Sequence, residues 1–380
     1  MEMVGRAASR VAELARGRSV LVIQDTTSLR DDGDQQSLHL HPSLVVDADD
    51  GSLLGLAHAT VLRRSGGKRA SHQKRPFEEK ESRRWLDATV AAGMLLRDAA
   101  TSITVVADRE ADIYEEFALR PADVDLVIRV AQDRKLKSAT LFTCLDGEAE
   151  LGRETITLPA GPGRAARAAV LALRAGIVEI PRPPRRGGAT GGVLPETVTL
   201  SLVEAREIDP PAGASPAHWR ILTTHCVTDL AEALRVTALY RQRWTIEQLF
   251  RTIKTRGFDI EAVRMADTDA FENLAMATLI AAIKILQMVR DRDGTANRPA
   301  TDVIDMKDQS AIQAISASLE GKTRRQKNPH PKGSLAYLAW VCARLGGWTG
   351  YYGKPGPVVI LQGMIRLQNL ITGWNIAKLV

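Results

Sequence analysis

Short apolar runs and stretches of helical spacing alternate along the chain. Residues 19–23 (SVLVI), 103–107 (ITVVA) and 125–130 (DLVIRV) are short, apolar and β-branched, the pattern of strands buried in a sheet. The first runs straight into Gln24-Asp25-Thr26-Thr27 and the second into Asp108-Arg109-Glu110-Ala111-Asp112. Residues 37–46 and 53–62 predict two more strands joined by a turn at Asp49-Asp50-Gly51, so three antiparallel strands follow one another. Residues 80–98 predict a helix with Trp85, Leu86, Val90 and Met94 on or near one face, and 109–119 predict another.

From about 135 to 216 the period changes. Runs at 154–158, 168–180 and 193–202 alternate in β fashion and are punctuated by PAGPGR, PRPPRRGGATGG and DPPAGASP. This predicts an inserted β subdomain with Gly/Pro-rich loops at its hairpin tips. Residues 219–223 supply a further strand, and Thr228 or Asp229 caps a long helical stretch containing 240–254. Beyond about 268 the chain reads as helical: 271–290 is apolar nearly all round and predicted to be buried, and 334–345 and 358–376 are amphipathic, separated by GGWTGYYGKPGP. The order predicts an α/β chain with a ribonuclease-H-like mixed sheet core. Its parts are 1–134 and 217–265, with the β insert at 135–216 between them and a helical region at 266–380.

Composition narrows the function. With 44% hydrophobic and 25% charged residues the chain has the balance of a soluble globular protein, no apolar run reaches about eighteen residues, and the start lacks a signal-peptide core. The expectation is a cytoplasmic protein with no membrane partner. The three cysteines are far apart, which suggests neither a disulfide framework nor a CxxC site. His39 and His41 could both chelate from one side of a strand, but no third ligand follows at zinc spacing, so two exposed strand residues are expected. Net charge is +6, and basic residues crowd 63–84, 181–188 and 321–333, which points to nucleic acid as the partner. Aromatics make up only 4% of the chain, which argues against an extended stacking platform for single strands.

Three carboxylates carry the candidate chemistry. Each also has an ordinary reading: Asp25 as a turn residue, Asp108 as the N-cap of 109–119, and Glu247 as the partner of Arg243 and Arg251 at four-residue spacing. If 240–254 (YRQRWTIEQLFRTIK) forms one helix, Tyr240, Arg243, Glu247 and Lys254 project within an arc of about 60°. In a ribonuclease-H-like layout the Asp25 and Asp108 strands are neighbours and the Glu247 helix crosses them, so the three converge. Hard oxygen ligands of this kind suit Mg²⁺ or Mn²⁺, and a pair of such ions about 3.5–4 Å apart serves both the attacking and the leaving oxygen of a phosphodiester. Arg243 and Lys254 would then hold phosphates.

These residues resemble a family. QDTT around Asp25, ADREADIYEEF around Asp108, Tyr-x2-Arg-x3-Glu-x6-Lys from Tyr240 to Lys254, and the tail LAWVCARLGGWTGYYGKPGP are similar to bacterial cut-and-paste DDE transposases of the insertion-sequence-four, Tn-five-like branch. The similarity runs over essentially the whole chain. It implies Asp25, Asp108 and Glu247 as metal ligands, and Tyr240, Arg243 and Lys254 as contacts to a transposon end. It implies Trp219 as the indole on which a flipped base stacks, with a core tryptophan as the other reading, and Arg129, after a one-residue gap, as a contact to hairpinned DNA. The implied partners are double-stranded DNA, both transposon ends and target, and a second copy joined through the helical tail. The implied location is the bacterial cytoplasm, at the nucleoid.

Two other functions fit the same features: a metal-dependent nuclease that cuts without joining, and a non-catalytic DNA-binding inhibitor that pairs with an active transposase through the tail. Family members carry a helical DNA-binding domain ahead of the first catalytic Asp, whereas twenty-four residues precede Asp25 here. The chain is therefore expected to grip duplex DNA without reading an end closely.

Overall fold

The structure, a computed structural model, describes residues 2–31, 36–65, 76–158, 165–184, 194–255 and 257–378. After helix α1 (Glu2–Leu14) come β1 (Ser19–Gln24), β2 (Thr27–Asp31), β3 (Gln36–Asp47), β4 (Leu53–Ser65), α2 (Arg83–Leu96), β5 (Ser102–Ala107), α3 (Tyr114–Leu119) and β6 (Val124–Arg129). The insert contributes β7 (Gly152–Leu158), β8 (Arg167–Pro181) and β9 (Thr197–Ile208). Then follow β10 (His218–Thr223), α4 (Leu230–Arg241), α5 (Trp244–Lys254), α6 (Thr268–Arg290), α7 (Gln309–Leu319), α8 (Leu335–Leu345) and α9 (Pro357–Ala377).

Among the described residues one mixed sheet holds ten strands, in the order β2-β3-β1-β5-β6-β10-β9-β8-β7 with β4 on the other edge of β3. β1, β5 and β6 are parallel, and every other recorded pairing is antiparallel. Side chains alternate across β1. Leu21 and Ile23 enter the core beneath α4, α5 and α6, with Ile246, Leu249 and Phe271; Val20 and Val22 enter the core beneath α1, α2 and α3, with Val11, Trp85 and Phe117. Burying those four apolar side chains contributes on the order of 6–12 kcal/mol, so the residue that follows the strand is delivered by a firmly held element.

A third core joins Ile285 and Met288 of α6 to α8, α9 and the segments around α7. By length and composition α6 could cross a membrane; here it contributes Phe271, Leu279 and Leu286 to the sheet's core, in agreement with the predicted buried helix.

The fold is the expected ribonuclease-H-like α/β arrangement with a helical C-terminal region, and the structure corrects several details. The described strands of the insert continue the central sheet, β9 pairing with β10 along His218 to Thr223. The PAGPGR segment, 159–164, and most of the second Gly/Pro tract, 185–193, lie outside the described residues, as does the basic stretch 66–75. The turn at Asp49-Asp50-Gly51 forms, with Asp47 accepting from the Asp49 amide at 2.9 Å and Gly51 at φ +71°. β2 is an additional strand, paired with the half of β3 that β1 leaves open. On α2 the buried stripe follows Trp85, Ala88, Ala92 and Leu96, which leaves Met94 67% exposed.

The stretch 109–119 is divided into a 3-10 turn (Arg109–Ala111) and α3 because Asp112 is used elsewhere. Its carboxylate accepts from the amide of Ala131 at 2.7 Å and pairs with Arg134 at 2.6 Å. His41 is fully buried, not an exposed strand residue, with its ring edge-to-face against Trp85 at 4.6 Å.

Candidate active site

The site lies where β1 and β5 end side by side. Parallel pairing in register, Ile23 opposite Val106, brings the residues after the two strands to the same edge. Asp25 sits just past β1 and accepts the amide of Thr26 at 2.7 Å through Oδ1. Asp108 sits just past β5 and caps the 3-10 turn by accepting the amide of Glu110 at 2.9 Å. Its ordinary role and its position in the site coexist. α5 brings Glu247 to the end of β1, where Arg243 links it to Asp25.

Asp108 and Glu247 both lie near enough to Asp25 to act on it through their charge. Asp25 is pushed up to about 7, first by burial and then by the negative charge of Asp108; Arg243 and the Thr26 amide pull it down, and Glu247 adds to the rise. Arg243 donates from Nη1 to Asp25 Oδ2 at 3.0 Å and from Nη2 to Glu247 Oε1. Of the two arginines four residues from Glu247, Arg243 makes the pair. The donor set is oxygen only and anionic, which fits a hard divalent cation. Among the described residues no three His, Cys, Asp or Glu side chains are gathered at ligand spacing, and Arg243 bridges two of the candidate carboxylates.

The single helix expected over 240–254 is broken. α4 ends at Arg241, Arg243 precedes α5, and the joint is tightened by i to i−3 bonds, from Arg243 N to Tyr240 O at 3.0 Å and from Thr245 N to Gln242 O at 2.9 Å. Tyr240 stays beside Arg243: burial lowers Arg243, and the Tyr240 phenol is the first of the groups that raise it, ahead of Glu247 and Asp25. Tyr240 is 5% exposed, lies in the main core, and packs its ring 5.9 Å from that of Trp219 at a tilt of 59°. Trp219 is half-buried on the same core. Arg129, at the end of β6, donates to the carbonyl of His218 at 3.1 Å. Lys254 pairs with Glu261 at 2.9 Å.

A second arginine went unnoticed in the sequence. Arg84, at the start of α2, has a side chain 8% exposed, and its Nε donates to Thr26 Oγ1 at 3.1 Å while Nη2 pairs with Glu110 at 2.6 Å. Thr26 Oγ1 also lies 2.9 Å from His41 Nδ1, within hydrogen-bond distance. Burial and the charge of Arg84 hold His41 neutral, down to about 3. The available signal was an Arg-Arg pair directly before Trp85 at a helix start. One of the two had to lie against that buried indole, and the Arg84 guanidinium is 5.1 Å from its ring centre.

Carboxylates after two adjacent parallel strands, with a third brought by a helix to the end of the first, define the ribonuclease-H-like class of nucleic-acid phosphoryl-transfer folds. The chain belongs to the transposase DDE-domain family, whose sequence model matches residues 23–283, from the end of β1 to the middle of α6.

Proposed function

We propose that this chain is a cut-and-paste DNA transposase of the insertion-sequence-four, Tn-five-like kind, with Asp25, Asp108 and Glu247 as its metal ligands. The observation that carries this reading is the electrostatic convergence of the three carboxylates, with Arg243 held between two of them. Asp25, Asp108 and Glu247 would hold Mg²⁺ or Mn²⁺, which would supply Lewis acidity for phosphoryl transfer. Arg243 and Lys254 exchange their carboxylate partners for phosphates of the transposon end. Trp219, backed by Tyr240, offers its indole to an unstacked base, and Arg129 steadies the adjoining strand. Each step replaces one oxygen on phosphorus by another: water frees a 3′-hydroxyl, which attacks the opposite strand to form a hairpin; water reopens it, and the 3′-hydroxyl attacks target DNA.

A second copy pairs through the C-terminal region in this reading. Val358, Ile365 and Ile376 of α9 are exposed and fall within about 20° of one another on the helical wheel, an apolar stripe suited to a partner.

The test is Mg²⁺-dependent nicking of a duplex carrying the transposon end. Asp25→Asn and Glu247→Gln should each abolish nicking and leave duplex binding largely intact, because affinity comes mainly from phosphate contacts. Robust nicking by Glu247→Gln would sink the assignment.

A further inference from the structure

The third basic run, 321–333, holds Lys322, Arg324, Arg325, Lys327 and Lys332 and no acidic residue, and it lies beyond the residues the family match covers. It is a built loop. Arg324–Gln326 forms a 3-10 turn closed by a capping box between Thr323 and Gln326. The loop is docked on the aromatic segment 346–357: Thr323 Oγ1 lies 3.2 Å from the Tyr351 hydroxyl, and a Cβ on Gly350 would come within 2.9 Å of the Arg325 carbonyl. Arg324, Arg325 and Lys327 are exposed, and none makes an ion pair among the described residues.

These cations line a cavity of about 430 Å³ with Arg292 and Trp348. A second cavity, about 640 Å³, runs from Gln248 and Arg251 of α5 to Arg292 and Asp293, so the two share their boundary residues. The one acidic side chain at that boundary, Asp293, is already neutralised by Lys354 at 2.6 Å. Arg292 leaves its buried Nε without a partner. The track therefore starts on the helix that carries Glu247 and ends at three unpaired, pre-positioned cations.

We infer that this groove is a DNA-backbone track that carries the duplex onward from the candidate active site to the Arg324–Gln326 turn. A polyanion that reaches the carboxylates along α5 meets Arg251, then Arg292, then the basic loop, with no unneutralised acidic side chain among the cavity-lining residues. Exposed Tyr351 and Tyr352 flank the far end, where phenol hydroxyls suit sugar and phosphate oxygens. The inference rests on the DNA reading above and assigns it a surface.

The experiment measures binding of the full chain to a fluorescein-labelled duplex across a salt series. The triple variant Arg324→Ala, Arg325→Ala, Lys327→Ala is compared with a control triple, Arg97→Ala, Lys137→Ala, Lys307→Ala, which removes the same formal charge outside the groove. The groove variant should keep the wild-type melting temperature, since the three side chains make no ion pair. Its log-affinity against log-salt slope should fall by about 0.9 per lost contact, about 2.7 in all. A fall no larger than the control's would overturn the track, as would occupation of the patch by an acidic protein, which would leave duplex binding intact in the variant. A wild-type chain that shows no salt-dependent duplex binding would overturn the DNA reading and this one with it.

Discussion

Arg243 reaches Asp25, 218 residues earlier in the chain, at 3.0 Å, and its second amino group holds Glu247. One guanidinium thus neutralises two of the three carboxylates and sits where the charge of a divalent ion is wanted. Removing it should have opposite effects on two measurements. Arg243→Ala should bind Mn²⁺ more tightly in a paramagnetic-resonance titration, because a competing cation is gone, while strand cleavage falls because a phosphate contact is gone. Unchanged Mn²⁺ affinity would show that the bridge does not compete with metal.

A buried chain of polar groups stands behind the same strand. Gln24 donates to Thr89 Oγ1 at 3.1 Å, and Thr89 donates to Glu116 at 2.6 Å. Burial raises Glu116 from 4.5 to about 7. Between those values the folded protein keeps a proton that the unfolded chain releases, so stability falls as pH rises, by up to about 3 kcal/mol in all, and levels off above pH 7. Glu116→Gln keeps an acceptor for Thr89 and carries no charge. Its unfolding free energy in urea should therefore decline less over that window and exceed the wild type's above it; parallel curves would mean that Glu116 is not the group responsible.

The parts of the fold legible in the sequence were those where burial alone decides. β1, β5 and β6 are apolar runs covered on both faces, and the carboxylates after two of them could be placed on one sheet edge without coordinates. What escaped was decided by long-range partners. β2 has Leu29 as its only buried apolar residue and exists because β3 offers it a free edge. The joint between α4 and α5 contains neither Gly nor Pro; Arg243 lies in it, tied to Asp25 across the sequence, and Tyr240 turns in to meet Trp219. Asp112 interrupts the helix predicted over 109–119 because its oxygens serve the segment after β6.

Close helix packing makes one glycine indispensable. A Cβ on Gly363 of α9 would lie 1.6 Å from the carbonyl oxygen of Cys342 in α8, and backbone is the hardest neighbour to displace. Gly363→Ala should cost at least the roughly 1–3 kcal/mol typical of overpacking and open α9 to proteolysis before the sheet. A wild-type digestion pattern would show that α8 and α9 can slide apart without penalty.

Trp219 has both a packing and a proposed stacking role, and two substitutions separate them. Trp219→Phe keeps a ring against Tyr240, whereas Trp219→Ala leaves a gap in a half-buried site. If the indole receives an unstacked base, Trp219→Ala should slow hairpin formation more than first-strand nicking, since stacking on an aromatic ring is worth about 1–3 kcal/mol per base. Trp219→Phe should then restore the melting temperature and part of the hairpin rate. Equal loss of both steps in Trp219→Ala, with full rescue by Trp219→Phe, would assign Trp219 to packing alone.

Arg84 joins the two strand ends from the opposite face. It holds Thr26, next to Asp25, and Glu110, two residues beyond Asp108, so one planar fork fixes the spacing of the loops that carry both carboxylates. A lysine there keeps the charge but cannot span both partners, because an ammonium is a point donor on a flexible stem. Arg84→Lys should therefore lower cleavage by about 10–100-fold, the range typical of residues that orient metal ligands. A side chain that only positions the loops leaves the salt slope of duplex binding unchanged. One that contacts DNA directly would lower that slope by about 0.9 in Arg84→Ala, and this comparison decides between the two roles.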